Sequence, residues 1–176
     1  MQAAVMTDVE TLQFEARERP TPDDDEVLVR ISDVGICGSD LHYYNEGKIG
    51  DFVVEDPIVL GHESAGEVVE VGDAVESPKV GDRVTIEPGV PCRRCEFCKR
   101  GEYHLCDGIT FMATPPDDGA FVEYVAWPAD FVYTLPESVS TAEGALCEPL
   151  SVGIHASRQA GIAPNDTVLI TGAGPI

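Results

Sequence analysis

Four of the chain's six cysteines lie within fifteen residues, at Cys92, Cys95, Cys98 and Cys106, in the spacing C-x2-C-x2-C-x7-C. Two residues between cysteines let a tight turn aim both sulfurs at one point. The seven-residue return from Cys98 to Cys106 can close a tetrahedral thiolate site. Zinc held by four thiolates with no open position is the structural type of site. Iron–sulfur clusters use overlapping spacings, and zinc is the preferred occupant. The stretch Met1 to Glu10 has no basic region followed by an apolar run, so no secretory signal is visible and a disulfide framework is disfavoured. A cytoplasmic location is expected. His104 lies inside the cysteine loop and reads as a surface residue, because four sulfurs already complete the site.

Charge narrows the partners. The 176 residues carry 32 acidic and 11 basic side chains, a net charge of −21. That repels phosphate, so nucleic acid and anionic membrane are not expected partners. No apolar run reaches the ~18 residues of a membrane helix. Hydrophobic residues make up 43 % of the chain, enough for a core. The acid excess is spread along the sequence, its longest run being Asp23 to Glu26, and lysine is nearly absent (Lys48, Lys79 and Lys99). Self-repulsion of this size is relieved by salt. The composition is similar to that of proteins from extreme halophiles.

The first 90 residues read as short strands and turns, and strands return after the cysteine loop. Gln2 to Val5, Val27 to Ile31, Ser64 to Val71, Arg83 to Ile86, Phe121 to Ala126 and Phe131 to Leu135 are predicted strands, broken at Gly72-Asp73, Gly81-Asp82 and Pro88-Gly89. Many short strands predict a partly open barrel or sandwich. After Pro136 the pattern changes. Ser140 and Glu143 form a capping box. A helix follows, interrupted at Pro149, which fits the first turn of a second helix running to about Ala160, with Gly161 as its stop. Asp166 to Thr171 reads as a buried strand entering Gly172-Ala173-Gly174-Pro175-Ile176. A strand running into G-x-G opens a dinucleotide-binding unit, with Gly172 and Gly174 as cofactor-binding glycines. The chain is therefore expected to be the N-terminal part of a longer protein.

A second constellation is scattered. Cys37 sits between Ile36 and Gly38, His62 and Glu63 lie between Gly61 and Ser64, and Glu148 precedes Pro149. Adjacent His and Glu in a strand point to opposite sides, so both reach one metal only where the chain bends; Gly61 and Gly66 make a bend feasible. A Cys/His/Glu set with water in the remaining position would be an open, catalytic zinc site. On spacing alone a core cysteine and a satisfied surface His-Glu pair are the commoner reading.

Five stretches carry a resemblance. They are GICGSDLHYYNEGKIGDFVVEDPIVLGHESAGEVVEVG (35–72), GDRVTIEPGVPCRRCEFCKRGEYHLC (81–106), FMATPPDDGAF (111–121), LPESVSTAEGALCEPLSVGIHA (135–156) and VLITGAGPI (168–176). The chain resembles the zinc-dependent medium-chain dehydrogenases, and IGDFVVEDP and ATPPDDG resemble the sorbitol/xylitol (polyol) branch. The resemblance implies a GroES-like, partly open β-barrel catalytic domain over residues 1–147, with a zinc lobe at 89–107. Residues 148–176 would be a linking helix and the first strand of a Rossmann domain. It implies Cys37, His62, Glu63 and Glu148 as catalytic-zinc ligands, Glu148 binding directly or through water. Cys92, Cys95, Cys98 and Cys106 would hold structural zinc, giving two zinc ions per chain. Cys147 is then a small buried residue. Ser39 matches the proton-relay hydroxyl, though a turn serine bonding its own backbone explains it equally. Tyr43, Phe52, Phe111 and Thr114 match positions lining the polyol pocket, against plain core packing. Asp40 is either a partner orienting a zinc-bound histidine or a solvated acid, and His155 reads as packing.

The activity implied is oxidation of a polyol's secondary alcohol to a ketose, with hydride transfer to NAD or NADP. The full-length protein is expected to be a homo-oligomer, and these 176 residues alone are expected to bind zinc without turnover. Two other readings stand beside it. One is a threonine, glucose or simple alcohol dehydrogenase of the same superfamily. The other is a non-catalytic zinc-binding GroES-like module, which leaves Cys37, His62 and Glu148 unexplained.

Overall fold

The computed structural model describes residues 1–172 and 174. In chain order the elements are β1 (Gln2–Asp8), β2 (Thr11–Ala16), β3 (Glu26–Gly35), α1 (Gly38–Glu46), β4 (Lys48–Ile49), β5 (Phe52–Val53), β6 (Ile58–Val59), β7 (Glu63–Val71), β8 (Arg83–Ile86), β9 (Gly89–Val90), α2 (Glu96–Lys99), β10 (Thr110–Phe111), β11 (Tyr124–Pro128), β12 (Val132–Thr134), α3 (Thr141–Ala145) and α4 (Cys147–Gln159). A five-stranded sheet in the order β11-β3-β7-β8-β12 is antiparallel throughout. A smaller sheet, β2-β1-β6, lies beside it. The long β3–β7 ladder slips register at Leu28/Val29 and again at Ile31/Asp33. Such bulges add bend and twist, which curls the sheet into the partly open barrel expected from the strand spacing.

Alternation in the central strands places one face inside. Val27, Val29, Val68, Val84, Ile86, Met112, Ala120 and Val132 form the main core cluster. A second cluster joins Met6, Tyr43, Ile58 and Leu60, and a third joins Ala3, Val5 and Val59; Phe121 packs against both. The first strand runs three residues beyond the expected Val5, and β2 is an element the sequence reading did not predict. Phe121 lies before β11, not within it. Among the described residues no helix is long and apolar enough to cross a membrane.

The C-terminal helices follow the expected signals. Ser140 Oγ accepts from the Glu143 amide at 3.2 Å while Glu143 Oε2 accepts from the Ser140 amide at 2.8 Å. The break between α3 and α4 falls at Leu146, Pro149 sits in the first turn of α4, and Gly161 adopts φ +65°. α3 is fixed to the barrel by Thr85, whose hydroxyl donates to the Gly144 carbonyl at 2.8 Å. A side chain at Gly144 would run into Leu135 and Ala65.

One element departs from expectation. Residues 166–171 form no strand, and Leu169 is 87 % exposed. A strand exists through its neighbours' hydrogen bonds, and no described strand lies beside this segment. Gly172 has φ +101° and Gly174 is exposed. Ala173, Pro175 and Ile176 of the expected glycine motif lie outside the described residues.

Candidate metal centres and active site

The cysteine lobe closes on itself. β9 and β10 pair at its base, joining Val90 to Thr110 and Gly89 to Phe111. Cys95 caps the single-turn α2, its sulfur accepting from the Cys98 amide at 3.4 Å; the Cys92 sulfur accepts from the Cys95 amide and the Cys106 sulfur from the Cys92 amide, both at 3.3 Å. Sulfur separations include 3.3 Å for Cys95–Cys98 and 4.0 Å for Cys92–Cys98. A disulfide is ~2.05 Å, so these are free thiols. The edge of a tetrahedron with ~2.3 Å arms is ~3.8 Å. All four ligand atoms lie within 4.8 Å of one another, so the lobe fits a tetrahedral thiophilic ion.

The thiols are unequal. Amide hydrogen bonds from Arg94 and Cys95, with the Cys106 thiol adding to them, pull the Cys92 thiol down to about 6. Burial, reinforced by the neighbouring sulfurs, pushes Cys98 up to about 12. The Cys92 anion forms readily while Cys98 resists ionisation. The lobe docks on the barrel through Tyr103, edge-on to Phe131 at 6.4 Å, and through Arg93 over the same ring at 5.5 Å. His104 is exposed, as expected.

The scattered constellation also converges. Cys37, His62 and Glu63 offer ligand atoms that lie within 4.8 Å of one another. The bend expected around Gly61 is present: it has φ +89°, and an added Cβ would strike the Phe121 ring at 2.7 Å. Glu63 opens β7 opposite Gly35 in the β3–β7 register. The space a side chain at Gly35 would take is filled by the Glu63 carboxylate. One sulfur, one imidazole and one carboxylate, with His62 and Glu63 buried, fit a divalent ion that keeps a position for another ligand.

Asp40 clasps this centre. It is 3 % exposed, so the solvated alternative is wrong. Its Oδ2 accepts from the Cys37 amide at 2.8 Å, the reach-back half of a capping box on α1, and its Oδ1 accepts from the Gly61 amide at 2.9 Å. One carboxylate thereby holds both ligand-bearing segments. Oδ1 stands 3.9 Å from His62 Nδ1, beyond hydrogen-bond reach, so Asp40 orients the histidine chiefly through the backbone of Gly61. Helix α1 itself was not predicted, although Asp40 three residues after Cys37 and Gly47, at φ +70°, mark its two ends.

The other expected positions divide. Phe111 lies against His62, ring centroids 5.8 Å apart at 56°. Tyr43 is buried; burial raises its hydroxyl pKa, and the nearby Thr114 side chain partly offsets the rise. Ser39 is half-buried in the first turn of α1. Glu148 is half-buried and stands outside the 4.8 Å trio, yet it senses it: burial raises its pKa, His62 pulls it down and Glu63 pushes it up. Phe52 is 55 % exposed in the two-stranded β4–β5 hairpin, away from core packing. Cys147 is exposed, not buried, because no residue of α4 is buried; its thiol stands 4.0 Å from the Glu143 carbonyl. His155 is also exposed, its ring 5.1 Å from that of His104, so the packing expectation fails. A groove of about 800 Å³ runs from Phe111 and Glu148 past Glu87, Tyr103 and Tyr133.

Comparison with known proteins follows this geometry. The family model described as Alcohol dehydrogenase GroES-like domain matches residues 23–137. The chain is 53 % identical over its whole length to sorbitol dehydrogenase of Bacillus subtilis, covering 50 % of that protein. It is 53 % identical to D-xylulose reductase A of Aspergillus niger, covering 98 % of this chain and 48 % of the relative. Among solved structures, a short chain alcohol dehydrogenase of Escherichia coli CFT073 complexed with NADH superposes with TM-score 0.90 at 35 % identity, over 99 % of this chain and 50 % of that one. The chain thus spans about half the length of the curated relatives it matches.

Proposed function

The chain belongs to the alcohol dehydrogenase GroES-like domain family, and from that premise we propose that it is the catalytic-domain part of a zinc- and NAD(P)-dependent polyol dehydrogenase. The full-length protein would oxidise a secondary alcohol of a small polyol to a ketose. The observation that carries this reading is the convergence of Cys37, His62 and Glu63 within 4.8 Å, from segments 25 residues apart in sequence. A non-catalytic module has no use for it. The relatives named sorbitol dehydrogenase and D-xylulose reductase support a polyol over threonine, glucose or a simple alcohol.

Zinc at the trio would supply a Lewis acid that makes a substrate hydroxyl more acidic, and the nicotinamide cofactor would accept the hydride. The chain's own residues do the rest. Cys37, His62 and Glu63 hold the ion, and Asp40 fixes the spacing between their segments. Phe111 covers one side of His62 and keeps water from it. Tyr43 and Thr114 offer hydroxyls to a polyhydroxylated substrate. Ser39, in the first turn of α1, would pass a proton toward solvent. Glu148 joins the centre directly or through water. The four cysteines hold a second, structural zinc, and Gly172 and Gly174 begin the cofactor site. The reading includes a homo-oligomeric, cytoplasmic full-length protein.

Metal analysis tests it. The chain should carry two zinc ions, His62→Ala one and Cys95→Ser one. The full-length protein should oxidise sorbitol or xylitol, and His62→Ala should abolish this. One zinc in the parent chain, unchanged by His62→Ala, defeats the proposal.

A further inference from the structure

Phe111 ends β10 and Thr114 lies in the loop that follows, and two adjacent aspartates fix this segment in different ways. Asp117 shapes the loop: its carboxylate accepts from the Phe111 amide at 3.4 Å and its amide donates to the Thr114 carbonyl at 2.8 Å. Asp118 looks outward to other segments. Its Oδ1 accepts from the Val59 amide at 2.8 Å, and its Oδ2 accepts from Arg17 Nη1 at 2.6 Å. Beyond it, the amides of Gly119, Ala120 and Phe121 donate to Val59, Gly61 and Leu60 at 2.7–2.9 Å. A side chain at Gly119 would collide with the Gly61 carbonyl. The loop is therefore laced to the three residues that immediately precede His62.

We propose that Asp118 is a positioning residue that sets Phe111 and Thr114 at a fixed height above the metal ligands, through its bond to the Val59 amide. The inference rests on the polyol reading for its effect on turnover, though not for the anchoring itself. Arg17 does a lesser job. Both partners of this ion pair are partly exposed, the Arg17 guanidinium also meets Glu15 at 3.9 Å, and it steadies the carboxylate's second oxygen. The role differs from that of Asp40, which holds the metal ligands. Loss of Asp118 frees the substrate-facing loop and leaves the ligands tied.

The test uses the full-length protein. Asp118→Ala should raise KM for the polyol ~10-fold or more, the scale of a lost charge-assisted bond, with kcat within about twofold and zinc per chain unchanged. Asp118→Asn keeps an acceptor for the Val59 amide and should recover most of that KM; Arg17→Ala should resemble it. Hydrogen exchange supplies a readout independent of activity: amides of residues 111–117 should exchange faster in Asp118→Ala and near normally in Asp118→Asn. If wild-type protein oxidises no polyol while this exchange pattern holds, the functional reading fails and the anchor stands. Unchanged exchange in Asp118→Ala, loss of zinc, a fall in kcat at constant KM, or Asp118→Asn as damaging as alanine would each overturn the anchor.

Discussion

Gly35→Ala isolates the carboxylate of the Cys37, His62 and Glu63 trio without changing any of the three. Gly35 and Glu63 are direct cross-strand partners at the end of the β3–β7 ladder. An added methyl would occupy the position of Glu63 Oε2 and approach its Cβ and Cδ to 3.0 Å. The two backbones are held by the sheet, so the carboxylate must swing away from Cys37 and His62. Overpacking of this kind costs about 1–3 kcal/mol. In a chain of this size each kcal/mol lowers Tm by roughly 2–4 °C. Zinc affinity at the trio should fall by more than ~10-fold, since loss of even an outer partner costs that much. The cysteine lobe is untouched, so metal content after mild chelation should approach one per chain. Gly38→Ala is the control: no atom lies within 4 Å of its added methyl, and alanine in the first turn of α1 should be neutral or stabilising by up to ~1 kcal/mol. If Gly35→Ala keeps both ions at parental affinity, Glu63 is not held where the metal site needs it.

Three further outcomes follow from the same structure. Arg83 donates to the carbonyls of Val139, Glu137 and Pro136 at 2.7, 2.8 and 3.4 Å, holding the loop that launches α3. Arg83→Met should cost about 2–3 kcal/mol in urea unfolding; a change under ~0.5 kcal/mol would show the loop is fixed by other means. The Glu143 carboxyl is held below its usual 4.5 by hydrogen bonds from the Ser140 backbone and side chain. A depressed folded-state pKa gives stability that is full above the unfolded value and lost as pH falls through the folded one. Glu143→Gln should therefore destabilise at neutral pH and differ progressively less from wild type below about 4.5; a difference that grows on acidification contradicts the cap. Finally, a net charge of −21 should make Tm rise with KCl between ~0.1 and ~1 M, as the Debye length falls from ~10 to ~3 Å. A flat or falling profile would count against the halophilic reading.

Legibility from sequence followed the range of the interactions. The Ser140–Glu143 cap, the Gly161 stop and the cysteine loop are each built by residues a few positions apart, and each stands where the sequence placed it. Hairpin β1–β2 was missed although Thr11–Ala16 (TLQFEA) alternates polar and apolar residues: the run is short, and its apolar side chains stay exposed, Phe14 at 83 %. The strand at 166–171 was predicted from its apolar run, but β structure needs a neighbour, which composition does not supply. Cys147 failed for a similar reason: a small apolar residue is usually inside, yet the facing of α4 is set by what packs on it. The clasp made by Asp40 and the anchor made by Asp118 join segments 21 and 59 residues apart, and no local pattern announces such pairs.

The same contrast of range predicts how the two proposed metal centres come apart. All four sulfurs of the lobe lie within fifteen residues and are oriented by amides of that same stretch. A local thiolate set can fold around its ion with little help, as zinc-finger peptides do. The trio has no local existence. Cys37 meets His62 and Glu63 through the pairing of Gly35 with Glu63 and through Asp40, both of which vanish when the sheet opens. In urea, one zinc per chain should reach a colorimetric chelator within the transition that removes the β-sheet circular dichroism signal. The second should be released only at higher denaturant or by thiol-directed mercurials. Cys95→Ser should erase the late phase and His62→Ala the early one. Release of both ions in a single step with the sheet would mean that the lobe depends on the barrel, through Tyr103 and Arg93 on Phe131, for more than its position.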